Sequence, residues 1–261
     1  MNISEARLAV RVGKGRAVAD PDWNELPVIA LWSVPRSRST AFLRMMMEWD
    51  DLTTLHEPFS QRANFDETTV DGRVVRTEAD LIAAIRELAD HTRVFFKDTT
   101  DFAYPGLLAD RRFLREATHT FIIRHPREVI PSHFALNPEL GRDEIGFARL
   151  YDLYLAVVEA SGAEPVVVDS DDLVARPEQT TRAYCERVGL PFHADRLSWQ
   201  PKMPDEWRKT ERWHRDAGQT SGFVRTQTVY DITVDNHPRL AEYYYYHLPF
   251  YEYLHKRRLP I

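Results

Sequence analysis

One stretch constrains this chain more than any other. From Val28 to Met47 an apolar run, a short polar turn and a helical pattern follow one another without a break. Val28 to Trp32 reads as a buried strand, and Ala41, Phe42, Met45 and Met46 recur at i, i+1, i+4 and i+5, the spacing of one buried helix face. Between them stand Arg36, Ser37, Arg38, Ser39 and Thr40. A helix start offers N–H groups without helical partners and the positive end of the helix dipole, so hydroxyls and guanidinium groups placed there form an anion cradle. The turn holds no glycine, since none occurs between Gly15 and Gly72. That rules out a Walker A loop, whose glycines let the backbone wrap a nucleoside triphosphate. The cradle has to be built from Pro35, arginines and hydroxyls; the plain alternative is a capped helix with solvated arginines.

At 261 residues the chain is long enough for one α/β domain, and a single domain over 1–261 is expected, with an N-terminal arm or hairpin in 1–26 and a C-terminal helix within 236–261. Net charge is −6, from 34 basic and 40 acidic residues with no long basic block, so nucleic acid is not an expected partner. A local pocket for one anionic ligand stays open. The single cysteine, Cys185, excludes an intrachain disulfide and a cysteine metal cluster. No run approaches the roughly 18 apolar residues that span a bilayer, so the expectation is a soluble, cytoplasmic protein with no membrane partner.

Strand and helix patterns alternate along the chain. A strand from Leu52 to Leu55 runs into His56, Glu57 and Pro58, and the polar stretch Ser60 to Arg76 reads as loop. Thr77 opens a helix with Thr-x-x-Asp capping and an apolar face of Leu81, Ile82, Ile85 and Leu88. The strand Val94 to Phe96 ends in Lys97 and Asp98, a helix follows near Leu107 to Arg115, and the strand Thr120 to Ile123 ends in Arg124. Pro126 starts the next helix, with His125 at its mouth. The longest helical pattern spans Glu144 to Ala160, then come a strand from Pro165 to Val168 closed by Asp169 and a helix from Pro177 to near Gly189. This alternation predicts a three-layer α/β fold with a central parallel sheet and helices on both faces. Ligands bind such sheets outside the carboxyl ends of the strands, where Arg36, Glu57, Lys97 and Arg124 all fall.

A second anion motif lies in Phe121 to Ser132: an arginine at a strand end, a proline two residues on, and a serine eight residues on, two turns into the next helix. With the first turn, it resembles the sulfotransferases that use 3′-phosphoadenosine 5′-phosphosulfate (PAPS). The 5′ loop of that family, Pro-Lys/Arg-x-x-[ST]-[ST], is matched by Pro35, Arg36, Ser37, Arg38, Ser39 and Thr40. Its 3′-phosphate motif is matched by Arg124, Pro126 and Ser132. The resemblance implies a P-loop-like fold, PAPS as co-substrate with 3′,5′-bisphosphate (PAP) as product, no metal, and a hydroxyl on a small molecule as acceptor. Members acting on phenols and steroids carry Lys-Thr-His after the third strand, where this chain has Lys97, Asp98 and Thr99. Members acting on sugars often use a glutamate after the second strand, the place of Glu57. The late segment that closes over the nucleotide has its nearest counterpart in Arg208 to Phe223, where His214, Ser221 and Phe223 stand as candidates on a covering loop.

Sulfuryl transfer puts negative charge on the leaving bridging oxygen, so fixed cations have to meet it; Arg36 and Lys97 are the candidates. The acceptor hydroxyl needs a base, for which Glu57 is the choice, with its pKa raised in a largely apolar pocket and His56 orienting it or taking over. Asp98 and Asp101 rank behind. The sequence shows no compact cluster of metal ligands. The tyrosines at Tyr243 to Tyr246, Tyr251 and Tyr253 suit core packing or a subunit interface, which leaves a homo-oligomer open. Two rival readings remain: a nucleotide-dependent kinase, with Val166 to Asp169 as a Walker B-like strand, and a noncatalytic nucleotide-binding protein of the same fold.

Overall fold

Along the first strand Val28, Ala30 and Trp32 enter one core while Ile29 and Leu31 enter another, so this strand is buried on both faces. The computed structural model describes residues 27–224 and 228–261; the arm expected in 1–26 lies outside the described residues. The chain begins with β1 (Val28–Ser33), α1 (Ser39–Met46), β2 (Leu52–His56), α2 (Pro58–Phe65), β3 (Thr68–Val70), β4 (Arg73–Val75) and α3 (Glu78–Ala89). It continues through β5 (Arg93–Thr99), α4 (Pro105–Ala109), α5 (Arg111–Glu116), β6 (Thr118–Ile123), α6 (Pro126–Phe134) and α7 (Phe147–Ser161). Then come β7 (Val166–Asp169), α8 (Ser170–Ala175), α9 (Pro177–Val188), α10 (Glu211–Gln219) and α11 (Pro238–His255).

Five strands form one sheet in the order β2-β5-β1-β6-β7, every pairing parallel. The two-residue period of a strand sends alternate side chains to opposite faces. Thus Val94 and Phe96 of β5 join one core and Phe95 the other, and β6 divides Phe121 and Ile123 from Ile122. A parallel sheet with two apolar faces needs a helical layer on each. Residues of α3, α5, α7 and α11 cover the first face, and Phe42, Met45 and Met46 of α1 with Tyr184, Cys185 and Val188 of α9 cover the second. The expected three-layer, P-loop-like α/β fold is the one observed. Among the described residues no helix is long and apolar enough to cross a membrane.

Three element assignments need correction. The stretch read as loop, Ser60 to Arg76, holds most of α2 and the antiparallel hairpin β3–β4. Asp98 brings this about: its carboxylate accepts from the backbone N–H of Phe59 and Ser60, at 2.6 and 3.1 Å, and so caps a helix whose own sequence is weakly amphipathic. The helix expected from Glu144 starts only at Phe147, after a separate 3-10 turn at Arg142–Ile145. Gly146 separates them at φ 91, and an added Cβ there would stand 2.9–3.1 Å from Thr100 atoms. Near Leu107 to Arg115 there are two short helices, because Asp110 ends α4 and caps α5 through the Phe113 N–H at 2.8 Å.

The sheet order puts β1 at the centre, flanked by β5 and β6. Its register pairs Ser33 with Thr99 and Ile122, while His56 at the end of β2 lies beside Lys97. The carboxyl ends that the sequence singles out therefore meet on one edge.

Candidate active site

Without glycine, the turn after β1 places two arginines in the left-handed region: Arg36 and Arg38 both have φ 65. An L residue there costs roughly 1–2 kcal/mol, so the tight turn stores strain where a Walker loop would use glycine. Ser37 Oγ donates to the Val34 carbonyl at 2.7 Å, and Ser33 Oγ donates to Ser39 Oγ at 3.0 Å. Ser37 is fully buried and closes the turn from behind. The first backbone donor of α1 with a helical acceptor is Phe42, to the Arg38 carbonyl. No side chain caps the N-terminus, and Ser39, Thr40 and Ala41, whose N–H groups have no helical acceptor, line the cavity described below. Arg38 also turns toward α8, where it donates to Asp171 Oδ1 at 2.5 Å and to Ser170 at 3.2 Å.

The two anion motifs touch. Arg36 Nε donates to Ser132 Oγ at 2.9 Å, and Arg124 Nη1 donates to the Arg36 carbonyl at 3.1 Å. Arg36 also donates from Nη1 to the Trp213 carbonyl at 2.8 Å, which fastens α10 over the turn. His125 caps α6 by accepting from the Arg127 N–H, and Ser132 sits buried two turns on. Arg124 pairs with Glu128 at 3.1 Å and leaves its buried Nε without a hydrogen-bond partner.

Strand parity separates Lys97 from Asp98. Lys97 lies on the same side of β5 as Phe95 and points toward Glu57, whereas Asp98 lies on the side of Phe96 and is enclosed by α2. Asp98 accepts from Phe59 N, Ser60 N, Ser60 Oγ and Thr99 N. Its carboxylate is taken up as a structural cap, on the face of β5 opposite Lys97. Glu57, at φ 50, sits at the N-terminus of α2 and forms a buried ion pair with Lys97. Burial alone would raise the Glu57 pKa, but the Lys97 ammonium beside it holds the carboxyl well below the usual carboxylate range. The raised pKa expected from sequence is thus reversed, because a counter-charge came with the burial.

Two imidazoles complete the cluster. His56 Nε2 lies 3.9 Å from Glu57 Oε1, and His214 Nε2 lies 3.6 Å from Glu57 Oε2. Burial pushes His214 down to about 4 and His56 well below its ordinary value, so both are neutral at pH 7. Thr40 Oγ1 is 3.2 Å from His214 Nδ1. Trp207 packs on both rings, at centroid distances of 5.0 and 5.5 Å. His214 therefore belongs to a helix packed on the turn, not to the loop expected there, while Phe223 reaches the cavity after that helix. Three ligand-type side chains that the sequence keeps apart converge in space. Among the described residues, one ligand atom each from His56, Glu57 and His214 lie within 4.8 Å of one another. These come from segments 157 residues apart, and that distance hides the cluster from a sequence reading.

All of this surrounds one cavity of about 290 Å³, lined among others by Arg36, Thr40, Glu57, Lys97, Arg124 and His214. Asp101 also lines it, with burial pushing its carboxyl up to about 6. Two residues of the cavity wall, His133 and Trp213, carried no sequence signal. His133 follows Ser132, has its pKa pushed down to about 3 by burial and by Arg36, and packs edge-on against Trp213 at 5.3 Å. Only helix phase, fixed by packing, turns that histidine inward. Asp169, the Walker B-like residue, lies elsewhere: it caps α8 through the Asp171 N–H at 2.7 Å and borders a different pocket with His255.

The family model of the sulfotransferase domain matches residues 27–257. The chain belongs to the sulfotransferase family. Its sequence is also similar to two proteins of Arabidopsis thaliana, branched-chain-amino-acid aminotransferase-like proteins 2 and 1, at 26% and 24% identity over 77% and 76% of the chain. The sulfotransferase chain spans 37% of the length of each of these relatives. Among solved structures it resembles the sulfotransferase domain of the Synechococcus PCC 7002 olefin synthase, with 17% identity, 88% of this chain and 98% of that chain covered, and a TM-score of 0.45. The matched range includes Pro35 to Thr40, Arg124 to Ser132 and the Lys97–Glu57 pair together.

Proposed function

We propose that this protein moves a sulfuryl group from PAPS to a hydroxyl of a small-molecule acceptor, without a metal, by in-line displacement. The observation that carries this reading is the direct link between the two anion motifs, Arg36 Nε to Ser132 Oγ and Arg124 Nη1 to the Arg36 carbonyl, at the edge of the cavity that Lys97 and Glu57 line. The free N–H groups of α1, with Arg38, Ser39 and Thr40, hold the 5′ end of the donor, and Ser37 shapes that binding turn from behind through its bond to Val34. Arg124 and Ser132 hold the 3′-phosphate, which takes the place of Arg36 Nε on the serine.

In the reaction the acceptor oxygen attacks sulfur while the bond from sulfur to the bridging oxygen breaks, and that electron pair stays on the 5′-phosphate of PAP. Arg36 and Lys97 meet the charge on the bridging oxygen. The acceptor proton passes to Glu57. In the unliganded protein Lys97 keeps this carboxylate ionised and weakly basic. When Lys97 turns to the donor, Glu57 loses its counter-charge and becomes a better base in the same step. His56 and His214 stand neutral on either side of the carboxylate, at 3.9 and 3.6 Å.

A crystal structure with PAP tests the reading. The account expects the 5′-phosphate at the N-terminus of α1 and the 3′-phosphate between Arg124 and Ser132; a nucleotide bound with its ribose 3′ position away from Arg124 would overturn it.

A further inference from the structure

We propose that His56, Glu57 and His214 form a binding site for one divalent transition-metal ion of the zinc type. Their ligand atoms lie within 4.8 Å of one another, with His214 Nε2 at 3.6 Å from Glu57 Oε2 and His56 Nε2 at 3.9 Å from Glu57 Oε1. Metal–ligand bonds of about 2.0–2.1 Å in a tetrahedral centre put neighbouring ligand atoms about 3.3 Å apart. Closing the site therefore takes side-chain shifts that bring ligand atoms closer by up to about 1.5 Å. Two imidazoles and a carboxylate are a donor set suited to zinc.

A second observation points to a ligand. The Nε2 atoms of both histidines are buried and have no hydrogen-bond partner, although buried polar atoms are nearly always satisfied. Both approach the same carboxylate. Around the ligands, Thr40 Oγ1 lies 3.2 Å from His214 Nδ1 and orients that imidazole as in metal-binding histidines, while His56 is held by the packing of Trp207, which touches both rings. Glu57 and His214 line the cavity, which provides the entry path and leaves room for a fourth ligand from solvent. Lys97 opposes the ion, since its ammonium already occupies Glu57 Oε1. The metal and the ammonium compete for one carboxylate, and an ion seated there takes Glu57 away from an acceptor proton, so zinc inhibits where Glu57 is the base.

The proposal goes beyond sulfuryl transfer, and its test uses neither donor nor acceptor, so the two can fail separately. Tag-free protein, stripped with a chelator, is titrated with Co²⁺ and followed by visible absorption and calorimetry, then with Zn²⁺ to displace the cobalt. The expected result is one ion per chain with the intense visible bands of low-coordinate cobalt. Affinity falls by about tenfold or more in His214→Gln and in Glu57→Gln, and rises in Lys97→Met. Circular dichroism checks folding; should Lys97→Met not fold, the other two variants decide. Absent cobalt bands, or an affinity that neither His214→Gln nor Glu57→Gln changes, would overturn the site.

Discussion

Replacing Arg36 separates two effects that meet in one residue. Its backbone stands at φ 65, and its side chain ties Ser132 and the Trp213 carbonyl to the turn. Arg36→Ala and Arg36→Gly both remove the guanidinium, so both lose the same hydrogen bonds and the same charge. They differ in the backbone: alanine keeps a Cβ in the left-handed region and glycine does not. Arg36→Gly is therefore expected to be more stable than Arg36→Ala by about 1 kcal/mol, or about 2–4 °C in Tm for a chain of this size. Turnover, followed as PAP released from PAPS, should fall equally in the two, by roughly 10²- to 10³-fold, the usual effect of removing one donor aimed at a developing charge. Calorimetry should show a smaller loss of PAP affinity, because the charge that Arg36 meets is largest in the transition state. Equal stability of the two variants would refute the strain argument, and an affinity loss as large as the turnover loss would refute the transition-state role.

Glu57→Gln keeps the side-chain shape and an acceptor for Lys97, so PAP binding should persist while the rate falls roughly 10²- to 10⁴-fold; a near wild-type rate would move the base elsewhere in the cavity. Asp98→Ala leaves the buried donors of Phe59, Ser60 and Thr99 unpaired, at about 1–3 kcal/mol for each buried group, and urea denaturation should show a loss of more than about 3 kcal/mol. A change within about 1 kcal/mol would contradict the capping role. Burial lowers the pKa of His119 to about 4, of His133 to about 3 and of His247 to about 4, as it does for His56 and His214. Their folded-state values lie below the unfolded one, so this stability is present above about pH 6.5 and is lost as pH falls. At pH 5 each histidine costs at most about 2 kcal/mol. Denaturation midpoints should therefore drop steadily from pH 7 to pH 5, and a flat profile would contradict the burial of these rings as neutral groups.

The strands and the two segments that meet at the cavity were legible because each is a local pattern: an apolar run, a polar turn, an arginine with a serine eight residues on. What joins the motifs was not. The Arg36–Ser132 bond links residues 96 apart, and nothing in either segment names the other. Parity was the missing information at Lys97 and Asp98, adjacent residues that face opposite sides of β5. Composition around Glu57 suggested an apolar pocket and a raised pKa, but the direction depended on Lys97, brought in by a neighbouring strand. The hairpin β3–β4 escaped notice because its strands are three residues each, too short to show a period. His214 stood as a candidate on a covering loop, but the helix that packs it and Trp213 on the turn is not announced by their own segment.

The central claim is that Arg124 and Ser132 recognise a 3′-phosphate beside the 5′ turn. Calorimetry with PAP and with adenosine 5′-monophosphate, on the wild type and on Arg124→Ala, tests it most directly. The account predicts that PAP binds far more tightly than the monophosphate. Arg124→Ala should erase most of that difference, since a charged hydrogen bond of about 1.5–3 kcal/mol is roughly 10- to 150-fold in affinity. Equal wild-type affinities for the two nucleotides would contradict it.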